Sequence, residues 1–533
     1  MVVLGYTMLQ VGSLAVRAAR PSQSTAIKRP RTARAPSRRV LARVAVQGTD
    51  GGPGFEDYEW TGADEWEHVQ DRRDEPPLPI PLLEGHRRVA IVRHGQSTWN
   101  AVGRIQGSSN LAVLTGKGEH QAEISRDMLQ NDDFDKLYTS PLARSDRTAE
   151  VIWANRRPPF AERTVLPSLR EVDLYEFQGL FKAEGKARYG ESFRAWQKTP
   201  AEFEIHGHAP VRELWWRASR AWQDILDTPD SQSALLVVAH NAVNQALIAT
   251  ALGLPPTHFR RLLQSNAAVT VLDFEPRKHP DGTPAPPRVT VDRLNQSPDQ
   301  PVRAQGSGRA AQTRLFIVRH AETDGSSDGV LLGSIDEACN YVGEDQAAAT
   351  AAMLAEGDVR AVFCSPSART RETATAIAER VGLFADGGSS VPAVEEVGGL
   401  SNINLGEWEG KKIMDVKGTG LPGDAEAREA FWARISSAYG TVLAEAGRRG
   451  GDAVLVTHAA VHAAILCTAL GLSHEDLSRF RIGTGGVTVL EFPDGIDGDA
   501  VARCINYTAH LGPAAVPVTV DDLELVCGID GCF

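Results

Sequence analysis

Long uncharged apolar runs are missing from this chain of 533 residues: no stretch of 18 or more apolar residues is free of charge. A helix needs about 20 such residues to cross a bilayer, so the sequence predicts no integral membrane association. Collagen is excluded because glycine and proline are too few, and a wholly disordered chain because 42% of the residues are apolar. At roughly 100–200 residues per domain, the length predicts two to four domains.

Cysteine is scarce and unevenly placed, because all six cysteines lie at or after Cys339. Their number and spacing match neither a disulfide-rich miniprotein nor a zinc site. Cys364 and Cys467 lie in apolar runs and are predicted to be small buried core residues. Cys527 and Cys532, near the C-terminus, allow a redox-labile disulfide, and the alternative is an idle mobile tail.

Acidic residues are absent before Asp50, where the chain is rich in Arg, Ser, Thr and Ala. This composition predicts an organellar transit peptide over residues 1–48, and the alternative is a disordered basic tail that binds nucleic acid or anionic lipid. Nine basic residues precede Asp50 in a chain of net charge −12, so the remainder carries −21. That acidic remainder argues against a nucleic-acid partner held by bulk charge.

An internal repeat organises most of the remaining chain. Four segments recur in the same order, and the offset between the copies falls only from 226 to 218 residues. The pairs are RVAIVRHGQSTWN (88–100) with RLFIVRHAETDGS (314–326), YTSPLARSDRTAE (138–150) with FCSPSARTRETAT (363–375), LLVVAHNAVNQAL (235–247) with VLVTHAAVHAAIL (454–466), and VTVLDF (269–274) with VTVLEF (487–492). Ordered matches with a slowly drifting offset indicate a tandem duplication with small insertions and deletions.

The repeat predicts the domain organisation. A catalytic domain is predicted over residues 85–296 and its second, partly degenerate copy over residues 312–511. The Ser-, Gly-, Pro- and Gln-containing stretch 297–311 is predicted to be a linker. An acidic linker is predicted over residues 49–84, which either packs on the body or stays loose, and a C-terminal tail over residues 512–533.

Each repeat alternates short apolar runs with helical patterns, which predicts an α/β fold. The first repeat has such runs at Val89–Val92, Lys136–Tyr138 and Leu235–Ala239, and helical composition at Gly118–Gln130 and Arg147–Asn155. Continuous apolar strands separated by helices indicate a mostly parallel sheet covered on both faces. Ligands bind at the carboxyl ends of the strands in such sheets.

Basic groups follow three of these strands: Arg93 with His94, Arg144, and His240. Arginine suits phosphate because its planar fork donates to two oxygens at once. A neutral imidazole can attack phosphorus and form a phosphohistidine that water later hydrolyses. The leaving alkoxide also needs a proton donor, and Glu171 in LREVDLYEFQG is the candidate. A lone Arg-His pair is usually structural, so the argument depends on the ordered set appearing twice.

The segments RHGQSTWN, SPLARSDRTA, LREVDLYEFQG and VAHNAVNQAL resemble the histidine phosphatase superfamily, which includes cofactor-dependent phosphoglycerate mutase and fructose-2,6-bisphosphatase. The resemblance implies two tandem three-layer α/β/α phosphoglycerate mutase-like domains with mostly parallel sheets. It implies no metal and no cofactor. By motif position it makes His94 the nucleophile, Arg93 and Arg144 the phosphoryl clamp, His240 a stabiliser of developing charge and Glu171 the general acid. It also places Asn100 and Gln106 in the phosphate pocket.

Further segments, including GRIQGSS, YEFQGLFKAEGKARYGESF and LLQSN, resemble a narrower group, the chloroplast 2-carboxy-D-arabinitol-1-phosphatases. This resemblance implies a small carboxylated sugar phosphate as substrate and the chloroplast stroma as location. The alternatives are fructose-2,6-bisphosphatase or phosphoglycerate mutase activity, or a non-catalytic phosphate-ligand sensor. Lys182, Lys186 and Arg188 are candidates to bind the substrate's carboxylate, and the alternative for each is a solvated helix face.

The second copy keeps four pocket residues, Arg319, His320, Arg369 and His458. It departs from the pattern elsewhere: Asn402 stands where Glu171 does, and Ser326 stands where Asn100 does. Asparagine cannot act as an acid, and Glu407 or Glu409 is the available substitute. We therefore expect the second domain to bind phosphate but to turn over slowly or not at all.

Overall fold

The computed structural model describes residues 74–229, 233–299, 301–303, 310–385, 390–416 and 419–514. Both repeats lie in one unit, residues 62–533. The predicted transit peptide, most of the acidic segment 49–84, and Cys527 with Cys532 lie outside the described residues. In the described part of the chain, no helix is long and apolar enough to cross a membrane.

The first repeat contributes six strands and six α-helices to the described structure. In chain order they are β1 (Arg87–Arg93), α1 (Thr98–Val102), α2 (Gly116–Met128), β2 (Lys136–Thr139), α3 (Ala143–Ile152), β3 (Thr164–Val165), α4 (Lys182–Lys198), α5 (Pro210–Leu226), β4 (Ala234–Ala239), α6 (Asn241–Ala251), β5 (Val269–Lys278) and β6 (Pro284–Gln296).

The second repeat has the same order of elements over its described residues. They are β7 (Thr313–Arg319), α7 (Asp324–Ser327), α8 (Tyr341–Leu354), β8 (Val359–Cys364), α9 (Ala368–Val381), β9 (Glu395–Glu396), α10 (Ile413–Val416), α11 (Arg428–Arg449), β10 (Gly451–Thr457), α12 (Ala459–Leu470), β11 (Val487–Phe492) and β12 (Val501–Tyr507). Short 3-10 turns join several of these elements in both repeats.

The twelve strands form one sheet in the order β3-β2-β4-β1-β5-β6-β12-β11-β7-β10-β8-β9. The order reads the same in both repeats from the outer edge to the centre. In each half, the four outer strands are parallel to one another. Counted from the outer edge, the fifth strand runs antiparallel to the fourth, and the sixth runs antiparallel to the fifth. The predicted α/β class is confirmed. That the two repeats share one sheet was not predicted.

Apolar side chains cover both faces of this sheet, as the continuous apolar runs predict. Successive residues of a strand point to opposite faces, so Val89 and Ile91 join one core cluster while Ala90 and Val92 join another. The first cluster is continuous through both repeats, whereas each repeat has its own cluster on the opposite face. Cys364 and Cys467 are fully buried, as predicted.

Two predicted helices have different bounds for local reasons. Helix α2 begins at Gly116 rather than Gly118, because the Thr115 side chain caps it by accepting from the Gly118 N–H at 3.1 Å. Helix α3 begins at Ala143, four residues before the predicted start. The Ala143 N–H donates to Asn110 Oδ1 at 2.8 Å, a contact across 33 residues that no local pattern contains.

A pair of asparagines joins the repeats where β6 meets β12. Asn295 donates to the Arg503 carbonyl at 2.6 Å, and Asn506 donates to the Asp292 carbonyl at 2.8 Å. Each asparagine also accepts from a backbone N–H in its own repeat, Asn295 from Ser265 at 2.6 Å and Asn506 from Gly483 at 2.9 Å. Both have positive φ, 56° and 53°, a conformation that asparagine tolerates better than most residues.

The described ends of the predicted linkers pack on the body. Leu78 donates its N–H to Ser219 Oγ on α5 at 2.8 Å, and the Pro79 carbonyl accepts from Gln223 at 2.7 Å. In the stretch that follows β6, Ser297 is buried, and Val302 packs into a core cluster of the second repeat.

Candidate active site

Three neighbouring strands of the first repeat, β2, β4 and β1, end at the same edge of the sheet and carry the predicted site. His94 follows β1 and His240 follows β4, and the His94 N–H donates to the Ala239 carbonyl at 3.0 Å. Ser140 follows β2, and Arg144 lies in the first turn of α3. The fold therefore brings these predicted site residues to one place.

The His94 ring is held in a defined orientation and protonation state. Its Nδ1 lies 2.7 Å from the Gly95 carbonyl, which can only accept, so Nδ1 carries the hydrogen and Nε2 keeps its lone pair. Burial, and then the nearby Arg144 and Arg93 charges, lower the pKa of His94 well below its usual 6.5. The imidazole is thus neutral at neutral pH, as a nucleophile must be.

His240 lies beside His94, with the two ring centroids 5.2 Å apart in an edge-to-face arrangement. Its Nε2 lies 2.7 Å from Ser140 Oγ. Its buried Nδ1 has no hydrogen-bond partner among the described residues. Burial, followed by the Arg144 charge, lowers the pKa of His240 well below 6.5. Two uncharged imidazoles thus share the pocket with two arginines.

The two arginines are anchored by backbone carbonyls. Arg144 is 1% exposed and donates to the carbonyls of Ser109 at 2.6 Å and Gly107 at 3.0 Å. Arg93 donates to the Gln264 carbonyl at 2.7 Å, and burial lowers its pKa to about 10, which leaves it charged at neutral pH. Such anchoring holds the guanidinium groups in place before a phosphate arrives.

Glu171 lies at the N-terminus of α6, the helix that follows His240. Its carboxylate accepts from the N–H groups of Ala242 at 3.0 and 3.1 Å, Val243 at 3.1 Å and Val172 at 2.9 Å. A helix N-terminus favours negative charge, so this place suits a carboxylate. Arg217, buried on α5, donates to the Glu171 carbonyl at 3.1 Å and fixes the backbone there.

Asn100 and Gln106 are joined to the site through Ser97 and Asn266. The Asn266 amide donates to the His94 carbonyl at 3.0 Å and to Asn100 Oδ1 at 3.3 Å. Ser97 Oγ donates to Gln106 Oε1 at 2.9 Å. Asn100, Asn266 and Arg93 line a cavity of about 140 Å³, whose other wall includes Arg503 of the second repeat.

Sequence reasoning assigned no role to Ser140, Arg217 or Asn266, although each contacts a predicted site residue. Ser140 and Asn266 stood inside quoted motifs, SPLARSDRTA and LLQSN, which was the available signal. Arg217 had no such signal, because its contact with Glu171 spans 46 residues.

The structure does not bring the three predicted carboxylate-binding residues into contact with the site. Lys182, Lys186 and Arg188 lie in the first half of α4, and all three are exposed. None of their side chains forms a hydrogen bond or an ion pair with another described residue. Their assignment therefore stays a prediction.

Comparison with known protein families identifies the family to which this site belongs. The model of the histidine phosphatase superfamily (branch 1) matches residues 89–280 and 315–498, one segment in each repeat. The chain belongs to the histidine phosphatase superfamily. The 2-carboxy-D-arabinitol-1-phosphatase of Triticum aestivum is 45% identical over 458 residues, which cover 83% of this chain and 90% of the wheat protein.

Two further relatives cover different shares of the chain. A protein of Arabidopsis thaliana, named a probable 2-carboxy-D-arabinitol-1-phosphatase, is 42% identical over 447 residues, 82% of this chain and 90% of the relative. Phosphoserine phosphatase 1 of Hydrogenobacter thermophilus is 28% identical over 193 residues, 36% of this chain and 89% of the relative. The plant relatives therefore match most of the chain, and the bacterial one matches a stretch about as long as one repeat.

The second histidine phosphatase domain repeats much of the pocket. The rings of His320 and His458 lie 5.4 Å apart, also edge to face. Arg319 donates to the Ile482 carbonyl at 2.6 Å, and Arg369 to the Ile335 carbonyl at 2.8 Å. Burial and nearby arginines lower the pKa of both histidines well below 6.5. The four predicted pocket residues thus lie together here as well.

The acid position of the second domain is arranged differently. Asn402 donates its side-chain amide to the Gly333 carbonyl at 3.0 Å and makes no hydrogen bond to helix α12. Glu409 is engaged elsewhere, because its carboxylate accepts from the Ser334 N–H at 2.8 Å and from the Ser334 hydroxyl at 2.5 Å. Glu407 is exposed. In the described structure, neither glutamate takes the place at α12 that Glu171 takes at α6.

Proposed function

We propose that the first domain is a phosphoric monoester hydrolase that acts on 2-carboxy-D-arabinitol 1-phosphate, or on a related sugar phosphate, through a phosphohistidine on His94. The observation that carries the proposal is the neutral His94 ring, oriented by Gly95 and flanked by two anchored arginines. The substrate class is supported by the identity with the wheat and Arabidopsis phosphatases over most of the chain.

In the first step, His94 Nε2 attacks phosphorus and the bond from phosphorus to the C1 oxygen breaks. Glu171 gives its proton to that oxygen, so the sugar acid leaves as an alcohol rather than an alkoxide. Arg93 and Arg144 neutralise the phosphoryl oxygens, whose charge is largest in the transition state. The Glu171 carboxylate left behind keeps its hydrogen bonds at the α6 N-terminus.

In the second step, water attacks the phosphohistidine and the phosphorus–nitrogen bond breaks. The Glu171 carboxylate takes a proton from the attacking water, which restores the acid for the next cycle. Inorganic phosphate leaves, and His94 returns to its neutral form with the hydrogen still on Nδ1. Splitting the displacement into two steps avoids direct attack by water on the ester.

The test is phosphate release by residues 49–533 from 2-carboxyarabinitol 1-phosphate, fructose 2,6-bisphosphate and 2-phosphoglycerate, with His94→Ala as control. We expect preference for the carboxyarabinitol ester and no turnover in the variant. Acid-labile label retained after reaction with a ³²P-labelled ester would identify the phosphohistidine. Preference for another ester would remove the proposed substrate, and full activity of His94→Ala would remove the mechanism. His320→Ala should lower hydrolysis less than His94→Ala does.

We also propose that Lys182, Lys186 and Arg188 bind the substrate's carboxylate as the exposed start of α4. Single alanine variants should raise KM for the carboxyarabinitol ester and leave KM for an uncarboxylated pentitol phosphate unchanged. Glu191→Ala, which alters an exposed acidic residue of the same helix, is the matched control. Equal KM values across the three variants and the parent would refute the assignment.

The proposed location is the chloroplast stroma, with residues 1–48 as the transit peptide. The basic, acid-free composition of this segment supports import into an organelle, and the plant relatives named above support a plastid. A fusion of residues 1–48 to a fluorescent protein should enter isolated chloroplasts and be shortened there. A fusion that stays outside, or that enters mitochondria instead, would refute this location.

A further inference from the structure

The starts of helices α6 and α12 differ between the two domains. In the first domain, the Ala242 and Val243 N–H groups donate to the Glu171 carboxylate. The corresponding groups in the second domain belong to Ala460 and Val461. Neither N–H donates a hydrogen bond within the described part of the chain, and the Asn402 side chain is bonded to the Gly333 carbonyl instead.

Buried polar atoms at the same end of α12 remain without partners. His458, which immediately precedes α12, is 2% exposed, and its Nδ1 has no hydrogen bond to any described residue. His462, one turn further along, is fully buried, and neither of its ring nitrogens has a described partner. Buried polar groups are normally hydrogen-bonded, so an end of a helix with several unsatisfied groups indicates a place for a ligand.

Charge around this place favours an anion. Arg319 and Arg369 supply two positive groups, and a helix N-terminus attracts negative charge. Two carboxylates lie near Arg369 and oppose the lowering of its pKa by burial, which keeps it charged. Neither is bonded to α12: Asp336 accepts from the Ala368 N–H at 2.7 Å, and Glu337 accepts from the Gly325 N–H at 3.2 Å. The second domain thus keeps the cations of the phosphate pocket and lacks the protein carboxylate at the helix start.

We propose that the second domain is a binding site for a phosphate ester that carries its own carboxylate. The phosphate lies between the two arginines and two histidines, and the ligand's carboxylate accepts from the Ala460 and Val461 N–H groups. This step rests on the proposed function: in the first domain the protonated carboxyl group at the equivalent helix start donates to the ester oxygen, so the ligand's carboxylate lies within a few bonds of that oxygen. This describes a phosphorylated hydroxy acid or sugar acid, and without an acid at residue 402 it is retained rather than hydrolysed.

The test compares 3-phosphoglycerate with glycerol 3-phosphate, which differ only in a carboxylate against a hydroxymethyl group. Calorimetry on the full chain carrying His94→Ala keeps the first domain from hydrolysing either probe. We expect a site with about ten-fold tighter binding of 3-phosphoglycerate, the effect of one charge at a helix N-terminus. Arg369→Ala should remove this site. Because Arg369 is buried and supports its own loop, Arg319→Ala, with its fold checked by circular dichroism, is the second variant.

Asn402→Glu is the sharper variant, because it places a protein carboxylate where Glu171 stands in the first domain. We expect it to reduce the preference for 3-phosphoglycerate to about two-fold or less, while Asn402→Gln keeps it. Equal affinities for the two probes in the parent, or an undiminished preference in Asn402→Glu, would overturn the proposal. Hydrolysis by the first domain is measured separately in the chain with His94 intact, so failure here leaves the proposed function untouched.

Discussion

Glu171→Gln tests proton donation in the first step, provided that kcat/KM is measured, because kcat/KM covers only the steps up to formation of the phosphohistidine. Glutamine is isosteric and keeps one oxygen that can accept from the α6 N-terminus, but it has no acidic proton. General acid catalysis contributes about 10²- to 10⁴-fold, and we expect kcat/KM on a sugar phosphate to fall within that range. For 4-nitrophenyl phosphate, whose leaving group is a weak base and needs no proton, we expect kcat/KM to fall by less than about ten-fold, while kcat falls further because Glu171 is also the base of the second step.

The structure also gives the expected effect on stability. The Glu171 carboxylate accepts from three backbone N–H groups, those of Val172, Ala242 and Val243. All three N–H groups reach Oε1, and only the Ala242 N–H also reaches Oε2, so the glutamine oxygen can keep all three as a neutral acceptor. Hydrogen bonds to charged groups contribute about 1.5–3 kcal/mol and those to neutral groups about 0.5–1.5 kcal/mol, so we expect a loss of about 1–2 kcal/mol, which denaturant unfolding of parent and variant measures at neutral pH.

The two substrates decide between the explanations. Both are assayed on the same preparation of Glu171→Gln, so that loss of folded protein affects both rates equally. A fall of the same size in kcat/KM on the two substrates would refute proton donation and make Glu171 a positioning residue for α6. Glu171→Asp, which keeps the acid on a shorter side chain, should recover part of kcat on the sugar phosphate.

Three further predictions concern pH and the junction of the repeats. The pKa of His94 lies well below 6.5, so His94 stays neutral as the pH falls through 6.5. We therefore expect no decline in kcat/KM that is centred near pH 6.5. Such a decline, if it is absent from a reaction that does not use His94, would contradict the assignment. His462 has a pKa lowered to about 3 by burial, so below about pH 6.5 the unfolded chain gains a proton that the native chain does not. His462→Asn, which installs the residue found at position 244, should therefore recover about 2 kcal/mol of unfolding free energy at pH 5 relative to pH 8, and the same difference in parent and variant would contradict this. Asn295→Ala should lower stability by about 1–3 kcal/mol and also lower kcat in the first domain. The mirror variant Asn506→Ala should lower stability alone. Equal kcat in the two variants would refute the link between Asn295 and the site of the first domain.

The strand ends and the proposed catalytic residues that follow them were predictable because each rests on a local pattern. A continuous apolar run ending in Arg93 and His94 specifies both the strand and its functional end. The rule that ligands bind at the carboxyl edge of parallel strands then predicts that His240 lies nearby, and the ring centroids are 5.2 Å apart. The helix starts were less accurate, since Asn110 and Ala143 meet across a loop.

The partners of the acid position were not predictable from sequence. Glu171 meets Ala242 and Val243 across about 70 residues, and nothing in LREVDLYEFQG indicates that its carboxylate caps α6. Likewise, the replacement of this residue by Asn402 predicted a lost acid but not the turn of its amide toward Gly333. The identity of residue 402 indicates which chemistry is absent from the second domain. The hydrogen bonds around it indicate what this part of the pocket can bind instead.

The shared sheet gives the second domain a structural role that does not depend on an acid at residue 402. Strand β6 would be an edge strand of an isolated first domain, with unpaired backbone groups open to association with other chains. Its pairing with β12 covers that edge, and Asn295 joins the Arg503 carbonyl to the Ser265 N–H.

Ser265 lies between Gln264, whose carbonyl accepts from Arg93, and Asn266, which donates to the His94 carbonyl. The backbone that supports the proposed nucleophile is therefore tied to β12 of the other domain through Asn295 and through the Leu263 N–H, which donates to the Ala502 carbonyl at 3.0 Å. The Asn402 side chain donates to the Gly333 carbonyl and takes no part in this connection. The second domain's sheet therefore supports the first domain whichever ligand the second pocket binds.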